Sequence, residues 1–128
     1  MEEIMSKMHI WIGYTTKSKS EFSQYFIINN NLENDKKEEP SFCNDLNITW
    51  YDEDLIGIYK SDSNDNLQIT LEELPISPDE IKKAYDVCLD LNITKANALF
   101  YYADAELVVF DLEKKYNELI YIGCYDWD

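Results

Sequence analysis

The chain has 128 residues, with 45% apolar and 14% aromatic side chains, so it has the length and the apolar content for a core that needs no staples. Twenty-six acidic residues oppose eleven basic ones for a formal net charge of −15, and every basic residue is a lysine. Phosphate recognition favours the arginine fork and nucleic-acid binding needs a basic footprint, so no direct contact with DNA, RNA or an anionic membrane is expected.

In chain order, "MEEIMSKMHIW" opens on two acids and lacks a basic region leading into an apolar one, so it does not read as a secretory signal. No window approaches the ~20 apolar residues of a membrane span, and cytoplasmic residence is expected. Residues 1–7 read as a flexible lead to a single domain over 1–128. "MHIWIGY" (Met8 to Tyr14) is rich in β-branched and aromatic residues and reads as a strand. Ser18 and Glu21 have capping-box spacing, and Phe22, Tyr25 and Phe26 share one face of the helix that follows. The polar run from Asn29 to Ser41 reads as a loop and "FCNDLNI" as a short helical turn.

"DLIGIYK" is expected as a second strand and "SDSNDN" as a turn. Ser77, Pro78 and Glu80 mark the start of the best helix, with a second capping box. Ile81, Ala84, Tyr85, Cys88 and Leu91 recur on one face, and Asn92 is the expected left-handed terminator. "NALFYY" reads as a strand, "ELVVF" as its neighbour and "ELIYIGCY" as the last strand. "DLNIT" occurs at 45–49 and again at 90–94, a repeat that a helix ending ahead of a strand explains as well as duplication does. The whole predicts an α+β domain: one mixed or antiparallel sheet of four to five strands with two main helices packed on one face.

Catalysis finds little support. His9 is the only histidine and lies within a strand; the three glycines are isolated, which rules out a phosphate loop. Cys43, Cys88 and Cys124 are odd in number, lack a CxxC spacing and read as small buried apolar residues. "DSNDNLQITLEE" resembles a calcium loop but carries Leu67 where glycine is required. Neither a metal site nor a cofactor is expected, and no enzymatic activity.

Recognition remains. Ten tyrosines and three tryptophans exceed the needs of a small core, and such residues dominate interface hot spots. "WYDED" (Trp50, Tyr51, Asp52, Glu53, Asp54) and "FYYADAE" (with Tyr101, Tyr102, Asp104 and Glu106) both set aromatics beside carboxylates at a strand end. If the two strands are neighbours, these nine residues share one edge of the sheet and form a surface for a cationic protein, the aromatics supplying apolar contact area.

"HIWIGY", "SEFSQYF", "SFCNDLNITWYDEDLIGIY", "LEELPIS", "KANALFYY" and "YIGCY" occur together and in this order. Over about Met8 to Tyr125 they resemble the bacterial immunity protein 22 family, earlier known only as a domain of unknown function. The resemblance implies a cytoplasmic, non-enzymatic inhibitor that binds the toxin domain of a sister cell in bacterial competition, often a nuclease. The alternatives are an acidic adaptor or regulator of another cytosolic protein, and a small metal-dependent or hydrolytic enzyme.

Overall fold

The computed structural model describes residues 7–27, 29–31, 36–38, 41–48, 51–104 and 106–126, with segments 29–31 and 36–38 described by backbone alone. The elements are β1 (Lys7–Gly13), α1 (Lys19–Gln24), β2 (Asn29–Asn31), β3 (Lys36–Glu38), α2 (Ser41–Leu46) and a 3-10 turn (Glu53–Leu55). They continue with β4 (Ile56–Lys60), α3 (Leu67–Leu71), α4 (Pro78–Asp90), β5 (Ala98–Ala103), β6 (Lys115–Tyr116) and β7 (Leu119–Asp126). Five strands form one antiparallel sheet in the order β4-β5-β1-β7-β6, while β2 and β3 pair separately. The class is α+β. Part of the expected loop from Asn29 to Ser41 is therefore a small ladder. Lys7, expected in the lead, belongs to β1 and forms an ion pair with Asp126; residues 1–6 lie outside the described residues.

The central strand explains the layering. Every residue from Met8 to Gly13 is buried, a continuous run rather than an alternation, so β1 is covered on both faces. Met8, Ile10 and Ile12 pack with Leu67 and Leu71 of α3 and Ala84 and Cys88 of α4. Trp11 points the other way, into a cluster with Phe22 of α1 and with Phe42, Cys43 and Leu46 of α2. Helices thus cover both faces of the sheet, which corrects the one-face expectation. Trp11 stacks on Phe100 of β5 with ring centroids 4.7 Å apart, and Phe42 meets it edge-on at 5.9 Å.

Local signals set the helix ends. Both arms of the Ser18–Glu21 capping box are made. Ser77 accepts from the Glu80 N–H, but the Glu80 carboxylate leaves the second box half-made. It accepts instead from Lys83 at 2.8 Å and from the Asp126 N–H at 2.9 Å, which ties α4 to the end of β7.

The repeated "DLNIT" is a repeated helix stop. Asn47 (φ 62°) and Asn92 (φ 65°) both adopt the left-handed conformation. The Ile48 N–H donates to the Cys43 carbonyl at 3.0 Å, and the Ile93 N–H to the Cys88 carbonyl at 2.8 Å. Each reaches five residues back, the long hydrogen bond of a Schellman motif. Asn92 is exposed, so its conformation is its main contribution. Asn92→Ala is expected to cost about 1 kcal/mol, because alanine resists the left-handed region, and Asn92→Gly to cost nothing measurable. Urea denaturation of the two variants checks this.

One strand expectation changes. "ELVVF" is not the neighbour of β5, because β1 and β4 already occupy both edges of that strand; residues 107–111 run outside any ladder. The loop before α3 uses its carboxamides on its own backbone, with Asn66 capping α3 through the Ile69 N–H and Asn64 accepting from the Asn66 N–H.

Candidate functional site

Strands β4 and β5 run antiparallel with Ile56 opposite Tyr102. The start of one and the end of the other therefore emerge together, and residues 52–54 come out at the same end of the sheet as Asp104 and Glu106. Asp52 caps the 3-10 turn, its carboxylate accepting from the Asp54 N–H at 3.0 Å. Glu53 and Asp54 are exposed, and Asp52 is half-buried. Across from them the half-buried Asp104 accepts from the N–H of the exposed Glu106 at 2.9 Å.

The tyrosines divide into different roles. Tyr51 and Tyr102 are 4% and 3% exposed and belong to the core under the turn. The Tyr51 hydroxyl donates to the Phe26 carbonyl, and the Tyr102 hydroxyl accepts from the Asp52 N–H at 2.9 Å. Their rings offer no outward area; they hold the acids in place. Burial, reinforced by the Glu53 charge, pushes the Tyr51 phenol up to about 12, so it stays a donor. Burial also raises Tyr102, against the pull of the Asp52 N–H. Tyr101 lies on the opposite face, against Gly57, where an added Cβ would meet the tyrosine ring at 2.1 Å. Trp50 lies outside the described residues.

The surface contains residues that sequence reasoning missed. Val108, Phe110 and Leu112 are 57%, 80% and 61% exposed, while Val109 between them is 8% exposed and packs into the core. The segment is pinned: the Leu107 N–H reaches the Asp104 carbonyl, and the Tyr116 hydroxyl donates to the Asp111 carbonyl at 2.8 Å. The available signal was the apolar run from Leu107 to Phe110, with Leu112 beyond Asp111, but a buried strand carries the same signal.

None of Asp52, Glu53, Asp54, Asp104 and Glu106 is in an ion pair with a described residue. The ion pairs lie elsewhere: Lys7–Asp126, Lys60–Asp62, Lys83–Glu80 and Lys114–Asp45. Among the described residues no lysine is paired with the carboxylates at this end of the sheet. Among the described residues no group of three or more His, Cys, Asp or Glu side chains could hold a metal ion, and no helix is long and apolar enough to cross a membrane.

His9 supports this end from below. It is 2% exposed, its Nε2–H donates to the Asp104 carbonyl at 2.9 Å, and Nδ1 accepts from the Tyr121 hydroxyl at 2.8 Å. Cys124 is exposed, unlike the buried Cys43 and Cys88, which corrects the expectation that all three are buried. Its sulfur stands 3.1 and 3.6 Å from the two ring nitrogens. Such similar distances set the thiol over the ring rather than on a nitrogen lone pair, a packing contact and not an activated nucleophile.

Burial holds the His9 imidazole below its usual range, against the opposing pull of Asp104. The unfolded chain therefore takes up this proton first as pH falls. Stability is full above about 6.5, the value in the unfolded chain, and is lost as pH drops from there towards the lowered folded value. Thermal melts across this interval are expected to fall less steeply for His9→Gln than for the wild-type chain.

These features define an α+β protein in which five carboxylates meet at one end of the sheet. A family model, immunity protein 22, matches residues 8–128, and the chain belongs to that family. Membership suggests toxin neutralisation in general, and an inhibitor rather than an enzyme. No curated protein and no solved structure matches the chain.

Proposed function

We propose that this chain is a cytoplasmic immunity protein that binds the cationic face of a cognate bacterial toxin domain, of the nuclease kind, and covers it. The observation that carries this reading is the convergence of Asp52, Glu53, Asp54, Asp104 and Glu106 at one end of the β4–β5 pair with no lysine of the described residues paired to them. A nuclease presents basic groups to phosphates, and these carboxylates stand in for the phosphates. Glu53, Asp54 and Glu106 project into solvent and steer the approach. Tyr51 and Tyr102 keep the turn from relaxing on contact, so little ordering cost is added at binding.

The direct test is co-expression with the toxin domain encoded beside this chain's gene. Growth restored by this chain, with the two proteins co-purifying in equal amounts, is the expected result. Toxicity unchanged by the chain, together with no complex on mixing the purified proteins, would count against the reading.

A further inference from the structure

Between the pinned segment and the end of α2 lies a groove of about 400 Å³. Leu46, Ile48, Leu107, Val108 and Phe110 give it apolar walls, and Asp104 and Glu106 also line it. We propose that this groove is the docking subsite for one basic side chain, lysine or arginine, projecting from the cationic partner. The inference rests on the toxin-binding reading above and adds to it the place and chemistry of an anchoring contact.

The two kinds of lining match the two ends of such a side chain. A lysine or arginine carries an aliphatic stem that gains by covering apolar surface, and a cationic head that needs a carboxylate or water. Walls of leucine, isoleucine, valine and phenylalanine suit the stem. Asp104 and Glu106 suit the head, and neither is engaged by a lysine of the described residues. A wholly apolar occupant would bury those two carboxylates without a counter-charge, and an acidic occupant would be repelled. Charge complementarity therefore selects the cation.

The groove is also built before any partner arrives. Asn47 in its left-handed turn ends α2 and sets Ile48 on one side. On the other, Val109 is anchored in the core. With Val109 turned into the core, the neighbouring Phe110 faces outward, 80% exposed, and lines the groove's outer side.

Binding of the purified toxin domain by the full chain tests the inference, with Phe110→Ala, Glu106→Gln and the double variant. Both positions are exposed, so all variants are expected to melt like the wild-type protein. Each single change is expected to weaken binding about 10-fold or more through faster dissociation. The double variant should lose less than the product of the two, because one side chain makes both contacts. If the wild-type chain binds and both variants bind equally well, the groove is not a docking subsite while the toxin-binding reading stands. If the wild-type chain does not bind, the reading and the inference fall together.

Discussion

Glu53→Lys/Asp54→Lys/Glu106→Lys is expected to abolish protection against the toxin in cells. All three side chains are exposed and none caps a helix or lines the core, so the fold should survive the reversal. Asp52 is left in place because its carboxylate holds the 3-10 turn and its N–H holds Tyr102. Each replacement moves the local charge by two units at the point where the partner's field is met. Electrostatic steering raises association rates about 10-fold to 1000-fold at low salt, and reversing its source removes that gain and adds repulsion. A matched control separates local from net charge: Glu73→Lys/Asp86→Lys/Asp90→Lys changes the formal charge equally through exposed residues that follow α3 or lie on α4, on the other face of the sheet. Stopped-flow association should show the first variant slowed by more than an order of magnitude beyond the control. Equal slowing of both would assign the effect to overall charge and not to this end of the sheet.

Trp11→Ala should be among the most damaging single changes to the fold. Trp11 is fully buried, stacked on Phe100 and edged by Phe42, at the strand where the two helical layers meet. Emptying such a site costs about 3–5 kcal/mol, a large share of the roughly 5–15 kcal/mol by which ordinary domains are stable. The indole N–H has no hydrogen-bond partner among the described residues, so the loss is one of volume and packing. Trp11→Phe keeps much of that volume and sacrifices no polar contact. It is therefore expected to cost less than half as much as alanine in a guanidinium titration. A similar cost for both would show that the indole contributes something other than bulk.

The contrast between these sites reflects what a sequence can encode locally. Ser18 with Glu21, Ser77 with Pro78, and Asn92 each act within a few residues, and the structure uses all of them as expected. The two-sided burial of β1 had a partial signal in the run from Met8 to Ile12, apolar except for His9. The helices were nevertheless expected on one face, because nothing local says that α1 and α2 pack against Trp11 while α3 and α4 pack against Ile10 and Ile12. "ELVVF" failed for the same reason: its composition suits a strand, but β5 has no free edge.

The acidic end was legible only conditionally. "WYDED" and "ADAE" meet because β4 pairs with β5, a contact between residues about 46 apart that composition does not predict. Once the pairing holds, antiparallel geometry brings both acid groups to one end without further instruction. The tyrosines needed a finer reading. Tyr101 and Tyr102 are adjacent on a strand and so face opposite ways, which assigns one to the core beneath the acids and the other to the far face.

The most direct test of the proposed surface is amide hydrogen exchange on the chain alone and in complex with its toxin domain. Protection gained on binding should concentrate in residues 52–55 and 104–112, with α3 and α4 exchanging as they do in the free protein. Protection confined to the α3–α4 face, with the acidic end unchanged, would contradict the account and move the partner to the other side of the sheet.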